Sequence, residues 1–159
     1  MKMKNEIERF KDFEFISPSV MVDGDLALHL KEICPYNPEK GFVPEYKFAM
    51  VHSHTQASMG EISLRVGLTQ KLKVYGGHIG YEVTESYRGN RYAARSCQLL
   101  QPLIQKLGIN PVIITCAPDN IASVRTIVSL GAVLINSKNV KIGPGKFRKT
   151  SIYHWNLEE

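Results

Sequence analysis

A short polar stretch at residues 88–91, R-G-N-R, contains residue types that bind phosphate. It follows an alternating run at residues 79–83, which predicts a β-strand. From Tyr92 the apolar residues recur at spacings of three and four, which predicts a helix. The free amides of a first helical turn, the helix dipole and a nearby arginine all favour an anion. The stretch therefore predicts an anion-binding loop, with an ordinary strand–turn–helix as the plain alternative.

The elements after residue 45 predict a mixed α/β fold with a largely antiparallel sheet. Three strands on short connections, at residues 46–53, 61–67 and 79–83, form a meander that leads into the polar loop. The helix from Tyr92 is expected to end at Gly108. The remaining elements are a doubly buried strand, a short helix and two further strands, at residues 112–116, 121–131, 132–135 and 151–157.

The chain before residue 45 is predicted to hold one short strand and one helix. The strand is expected at residues 13–17, before Pro18. Residues 23–34 carry several leucines and begin with two aspartates, which predicts a capped helix. Residues 34–44 contain three prolines and a glycine, which predicts a long loop.

Length and composition predict a single domain of residues 1–159. The chain is 43% apolar and carries a formal net charge of +5. No apolar run approaches the ~20 residues of a membrane span, and the charged N-terminal residues are unlike a signal peptide, so a cytoplasmic protein is expected. Three scattered cysteines predict neither disulfides nor a metal site. The basic residues at 138–149 are interpreted as a solvated loop or hairpin rather than a nucleic-acid patch.

Two motifs about thirty residues apart resemble the GNAT superfamily of acetyl-CoA-dependent N-acetyltransferases. R-G-N-R-Y-A at residues 88–93 resembles the family's Gln/Arg-x-x-Gly-x-Gly/Ala loop. D-N-I-A-S-V-R-T-I-V-S-L-G-A at residues 119–132 resembles a segment of branches close to the ribosomal-protein acetyltransferases. G-G-H-I-G-Y-E-V at residues 76–83 is similar to a branch of bacterial predicted acetyltransferases. The resemblance implies a largely antiparallel sheet of about six to seven strands, splayed in the middle and flanked by helices.

The resemblance also implies which residues would bind acetyl-CoA, the expected cosubstrate. The loop amides would hold the pyrophosphate, the strand before the loop would pair with the pantetheine arm, and two residues at the short helix would lie near that arm and the sulfur. In this order, the implied cofactor-binding residues are Arg88, Gly89, Asn90, Arg91, Tyr92 and Ala93, then Tyr81, Glu82 and Val83, then Asn120 and Ser123.

The catalytic candidates are a base and an acid. His78 and Glu82 share one face of the strand, and either side chain could accept the proton of an attacking amine. Many family members place a proton-donating tyrosine at the position of Ile127, so the acid here would be Ser123, water, or absent. A second departure is Arg91, where the family pattern has glycine.

The resulting hypothesis is an N-acetyltransferase that transfers the acetyl group of acetyl-CoA directly to a primary amine in a ternary complex. The alternative is a non-catalytic acyl-CoA-binding regulatory module, which the departures at Arg91 and Ile127 favour. A third hypothesis, a basic nucleic-acid-binding domain, predicts steeply salt-dependent binding. The expected partners are acetyl-CoA and an amine acceptor, without nucleic acid or membrane, and the protein is expected to be a monomer or a homodimer.

Overall fold

The computed structural model describes residues 6–157, in which Glu6 and Ile7 are helical and residues 8–157 form eight strands and four α-helices, with short 3-10 turns at Glu8–Phe10 and Glu85–Tyr87. The strands are β1 (Met21–Asp23), β2 (Leu26–Cys34), β3 (Glu45–His52), β4 (Ser58–Arg65), β5 (Ile79–Val83), β6 (Val112–Cys116), β7 (Val133–Gly143) and β8 (Lys146–Trp155). The helices are α1 (Gln70–Val74), α2 (Tyr92–Leu99), α3 (Gln101–Lys106) and α4 (Ile121–Ser129). That residues 1–159 form a single domain stays a prediction, because this range reaches beyond the described residues.

The strands form two antiparallel sheets that meet edge to edge and then diverge. The first sheet has the order β1-β2-β3-β4-β5, and the second has the order β6-β8-β7. Their edges join at one point, where the His78 amide donates to the Ile113 carbonyl (2.7 Å) and the Ile113 amide donates to His78 Nδ1 (2.9 Å). Beyond this point β5 and β6 separate. The predicted mixed, largely antiparallel fold with a central splay is confirmed, with eight strands in the described range instead of six to seven.

One hydrophobic core contains residues of both sheets and stabilises the place where β5 and β6 diverge. It joins Phe48 and Leu64 of the first sheet to Ile114 of the second, and Leu100 and Ile104 pack on it from the helices. All five side chains are at most 1% exposed. Burying side chains of this size stabilises the fold by about 1.5–3 kcal/mol each. The opening between β5 and β6 is therefore framed by packed elements.

The predicted helix at residues 23–34 is wrong. Residues 21–34 form a β-hairpin instead, with Gly24 in the left-handed region (φ +59°) at its turn. The leucines at 26, 28 and 30 repeat every two residues, as a strand requires. β2 pairs with β3 from Leu26 opposite His52 to Cys34 opposite Glu45. Pairing with a neighbouring strand therefore outweighed the capping signal of the two aspartates.

Three smaller expectations also need correction. The segment at 13–17 is not a strand, and Phe15 instead packs edge-to-face against Tyr46 (centroids 5.0 Å apart). The long helix is divided at Leu100 because Pro102, which lacks an amide hydrogen, follows at once. The basic segment near the C-terminus is a hairpin, one of its two predicted forms, but with register shifts at two places; the strands predicted at 132–135 and 151–157 therefore extend towards each other as β7 and β8.

Candidate functional site

The edge of β5 that faces β6 is not covered by another strand of the described sheets. The Arg65 amide donates to the His78 carbonyl (2.7 Å) and the Thr84 amide donates to the Met59 carbonyl (2.9 Å). Backbone groups alternate sides along an antiparallel strand, so those of Tyr81 and Val83 point away from β4. Because β6 diverges there, they face an open slot. Such an edge can pair with an added extended chain.

The polar loop ends at the start of α2 with its first amides available. Arg91 is the N-cap residue and adopts a left-handed conformation (φ 60°), as the glycine of the family pattern readily would. Its side chain makes no capping hydrogen bond within the described range. Gly89 is also left-handed (φ 91°). The geometry fits an anion held by backbone amides.

A cleft of about 560 Å³ adjoins this loop, and we call it the loop cleft. Arg88 and Arg91 line one end, while Asn120 and Ser123 at the start of α4 line the other. Arg88 also donates from Nε to the Val83 carbonyl (2.9 Å), which ties the loop to the end of β5. The loop cleft therefore runs from two cations to the slot between the sheets.

The loop is braced from a distant part of the chain that sequence reasoning missed. The Tyr92 hydroxyl donates to Asp25 Oδ2 (2.5 Å), and Arg95 Nη2 donates to Asp25 Oδ1 (2.8 Å). Arg95 Nε also donates to Asp23 Oδ2 (2.8 Å). The hydrogen bond from Tyr92, followed by that from Arg95, holds the pKa of Asp25 below its usual value. The two aspartates assigned to a helix cap instead anchor the start of α2.

A pair of hydroxyls lies in the slot. Tyr81 Oη and Ser123 Oγ are 2.8 Å apart, and either can be the donor. Asn120 Oδ1 accepts a hydrogen bond from the Ser123 amide (3.2 Å) and caps α4, and within residues 6–157 its NH₂ group is free for another partner. Burial raises the pKa of Tyr81, so its hydroxyl stays protonated near neutral pH. The alternation along residues 79–83 was the one signal in the sequence for this position, because it puts Tyr81 on the face of β5 opposite to His78 and Glu82.

A second cleft of about 320 Å³ opens on the other side of the hydroxyl pair, and we call it the hairpin cleft. Tyr81, Asn120 and Ser123 line both clefts, so the hydroxyl pair stands where they adjoin. The hairpin cleft is otherwise bordered by Gly76, by Cys116 and by Arg148 and Thr150 of β8. Among the described residues that line it there is no carboxylate and no imidazole. Burial raises the pKa of the Cys116 thiol, which argues against a nucleophile there.

The structure does not bring His78, Glu82 and Ser123 together. His78 is 8% exposed and lines a different cleft, beside Phe10 and Gly108. Its Nδ1 already accepts the hydrogen bond from Ile113, and burial followed by the nearby charge of Arg65 lowers its pKa to about 4. This geometry argues for a structural histidine and against a base. The same-face reasoning from the sequence placed it wrongly, because that face points away from the slot.

Glu82 also lies outside the hairpin cleft. It is exposed and stands opposite Glu61 on β4, on the face of β5 that points away from the Tyr81 hydroxyl. Glu82 is among the residues that border the loop cleft instead. A role of Glu82 through its position on β5 is therefore better supported than a role as a base.

Other classes of site find little support in residues 6–157. No group of three histidine, cysteine or acidic side chains in that range is placed to hold a metal ion. None of its helices is long and apolar enough to span a membrane. The oligomeric state stays a prediction.

The comparisons with known proteins agree with this geometry. Residues 9–133 match the family described as acetyltransferase (GNAT) domain, which is more than half of the chain. The protein therefore belongs to the GNAT acetyltransferases, a family of acetyl-CoA-dependent enzymes, as the two motifs predicted. A comparison with curated protein sequences gives no match.

Solved structures of acetyltransferases share the fold at low sequence identity. A ribosomal-protein α-N-acetyltransferase, RimL, in complex with coenzyme A has a TM-score of 0.65 at 15% identity, covering 87% of this chain and 98% of that one. A Salmonella typhimurium acetyltransferase that modifies the N-terminal serine of a ribosomal protein has a TM-score of 0.58 at 20% identity, covering 76% and 67%. The microcin C7 self-immunity acetyltransferase with acetyl-CoA and AMP has a TM-score of 0.55 at 19% identity, covering 71% and 61%.

Proposed function

We propose that this protein transfers the acetyl group of acetyl-CoA to a primary amine. The observation that carries the proposal is the hydroxyl pair of Tyr81 and Ser123, 2.8 Å apart, which stands where the loop cleft adjoins the hairpin cleft. A thioester entering from the loop side and an amine entering from the hairpin side would meet at this pair. Two substrates brought together in this way react with a large advantage over free collision.

Acetyl-CoA fits the loop cleft. The pyrophosphate would lie on the amides of residues 88–93, beside the cations of Arg88 and Arg91. The backbone groups of Tyr81 and Val83 would pair with the pantetheine amides, as an added strand does. The free NH₂ group of Asn120 would donate a hydrogen bond to the same arm. In this proposal Glu82 contributes by shaping β5, and the carboxylate is not used.

The chemistry requires that a C–N bond forms as the C–S bond breaks. The amine nitrogen attacks the thioester carbonyl, the nitrogen loses a proton, and the departing sulfur carries negative charge until it gains one. The hydroxyl pair of Tyr81 and Ser123 would donate a hydrogen bond to that sulfur. A thiol has a pKa of roughly 8.5, below that of tyrosine, so the hydroxyls stabilise the thiolate by hydrogen bonding rather than by giving up a proton completely. The pair would thereby replace the tyrosine that many relatives carry at the position of Ile127.

The missing base points to amines that are already partly neutral. With no carboxylate or imidazole among the described residues lining the hairpin cleft, the acceptor would enter as the free amine. At pH 7.5 roughly a third of an α-amino group is neutral, compared with about 0.1% of a lysine side chain. The site therefore favours an α-amine, and kcat/KM should rise with pH along the ionisation of the amine itself.

The test measures thiol release from acetyl-CoA with a panel of peptides and small amines, beside calorimetric titration with CoA. We expect CoA binding and turnover with α-amines, with an apparent pKa that follows the amine when its own pKa is changed. CoA binding without turnover on any amine would instead support the non-catalytic module. An apparent pKa that stays constant across amines would show that an enzyme group acts as the base.

A further inference from the structure

We propose that the acceptor is an amine with negatively charged groups next to the reacting nitrogen, as in a peptide whose N-terminal residue is followed by acidic side chains. This inference rests on the proposed function and concerns the substrate class of the same site. It comes from the charges around the hairpin cleft, where the acceptor would enter.

Arg148 supplies the one charged side chain among the described residues that line the hairpin cleft. It shares a face of β8 with Thr150, which lines the same cleft and is 2% exposed. Arg148 is exposed, and within residues 6–157 its guanidinium takes part in no salt bridge. It can therefore offer its donors to a carboxylate or phosphate of the acceptor.

Two of the segments that border the hairpin cleft carry cations and no acidic residue, while the loop between them in sequence, at residues 116–119, carries one exposed carboxylate, Asp119. Residues 66–81, which include α1 and β5 up to Tyr81, contain Lys71 and Lys73 but neither aspartate nor glutamate. Residues 120–157, which include α4 and the β7–β8 hairpin, contain six lysines and arginines and again no acidic side chain. α1 lies against β8, so the two basic segments are neighbours.

The acidic side chains near β5 are on its other face. Glu61 and Glu82 stand opposite each other on β4 and β5, and Glu61 is paired with Lys31 (3.1 Å). The two faces of the same strand therefore differ in charge. A polyamine or a lysine-rich peptide would meet repulsion at the hairpin cleft, whereas an anionic acceptor would be attracted and oriented.

The basic surface extends beyond the cleft, which favours a peptide over a small molecule. Lys146 lies on the same face of β8 as Arg148 and continues the positive charge past it. An acceptor that uses this whole surface would need several anionic groups along an extended chain. The reacting α-amine and the following acidic side chains would then have separate binding places.

The experiment compares three peptides with N-terminal alanine that differ at the next two residues: Asp-Glu, Asn-Gln and Lys-Lys. We expect kcat/KM to be roughly tenfold higher for the acidic peptide than for the amide peptide, and lowest for the basic one. O-phosphoethanolamine against ethanolamine tests whether a single anion on a small amine is enough. A similar advantage for that pair would overturn the preference for a peptide, and equal rates for all three peptides would overturn the proposal.

The variants R148E and K149E make the same charge change at adjacent residues of β8. Lys149 pairs with Asn139 and points to the opposite face from Arg148. We expect R148E to abolish or reverse the preference for the acidic peptide, and K149E to keep it. R148Q, which is less disruptive, should abolish the preference without reversing it. Equal effects of R148E and K149E would overturn the assignment to the hairpin cleft.

Calorimetric titration with CoA accompanies each variant. Unchanged CoA affinity in R148E and R148Q shows that the fold and the loop cleft are intact, so a loss of preference is assigned to the acceptor. Wild-type protein that transfers acetyl groups without any charge preference refutes this inference alone. Wild-type protein that transfers to no amine refutes the proposed function instead.

Discussion

The two clefts on either side of Tyr81 are built in different ways. The loop cleft comes mainly from one continuous stretch, β5, the polar loop and the start of α2, together with the start of α4. The hairpin cleft combines residues from far apart in the chain, Gly76, Cys116 and Arg148. A continuous stretch preserves its geometry when the substrate changes, whereas separate segments can vary independently. In the proposed function, acetyl-CoA would bind in the cleft that comes mainly from one stretch, and the amine acceptor would bind in the cleft that is assembled from separate segments.

His78 joins the two sheets that carry the clefts. The pH dependence of folding stability tests how much this junction contributes. In the folded protein the pKa of His78 is about 4, below the 6.5 of an unfolded histidine. Above pH 6.5 both states are neutral and His78 adds no pH dependence. As the pH falls from 6.5 to 4 the unfolded state binds a proton that the folded state does not, so about 3 kcal/mol of stability should be lost.

H78Q should remove that part of the acid sensitivity. Urea denaturation at pH 7 and pH 4.5, with wild type beside H78Q, measures the difference. A wild-type loss of stability that persists unchanged in H78Q would assign the acid sensitivity to other groups. Both proteins should give the same pH profile of kcat/KM, since the proposed function does not use His78 as a base.

Tyr81 tests the point where the clefts adjoin. Y81F removes the hydroxyl but keeps the buried ring, so kcat should fall roughly 10- to 100-fold while the affinity for CoA changes little. S123A should have a similar effect, and the double variant should lose little more because the two hydroxyls act as one donor. Steady-state kinetics with calorimetric titration separates the two readouts. Y36F, outside both clefts, is the matched control and should behave as wild type.

Asn120 tests the loop cleft alone, since its two amide atoms have different tasks. N120D keeps an oxygen that caps α4 and loses the NH₂ donor, so CoA affinity should fall about fivefold with little loss of stability. N120A loses both and should also destabilise the protein by about 1 kcal/mol. Titration with CoA and thermal unfolding of the two variants provide the comparison. Equal CoA affinity in N120D and wild type would remove Asn120 from the binding site.

Arg91 gives the smallest expected effect, in which two contributions oppose each other. R91G suits the left-handed backbone (φ 60°) and should stabilise the protein by up to about 1 kcal/mol. It also removes a cation from the loop cleft, so CoA affinity should fall by a few fold and become less dependent on salt. Thermal unfolding and titration at two salt concentrations measure both. Tighter CoA binding in R91G would mean that the strain outweighs the charge.

Much of the fold after residue 45 could be predicted because its signals are local. Alternation at 79–83, the helix start at Tyr92 and the apolar run at 112–116 each reflect a period that the backbone imposes. The hairpin at 21–34 could not be predicted in the same way. Its leucines alternate as in a strand, but the leading aspartates and the leucine content also fit a capped helix, and pairing with the distant β3 decided between the two.

The candidate site also contains a part that local motifs predicted and a part that depends on tertiary contacts. Motifs indicated the polar loop and Asn120, which act largely through backbone amides and a helix cap. The side chains of His78 and Glu82 were assigned by their shared face alone, and the face that points into the slot depends on how β6 meets β5. Tyr81 was therefore assigned only a backbone role towards the cofactor, and its hydroxyl and the Arg148 side chain were missed.

The amino-acid sequence by itself determined the family, the order of elements after residue 45 apart from the short helix α1, and the loop that would hold the phosphates, because local periodicity and short motifs encode them. The tertiary structure decided which side of β5 faces the slot, which hydroxyls meet there and which charges surround the second cleft. These depend on contacts between residues as far apart as Tyr81 and Ser123, or Gly76 and Arg148. Only the packing of both sheets against one core brings such residues together.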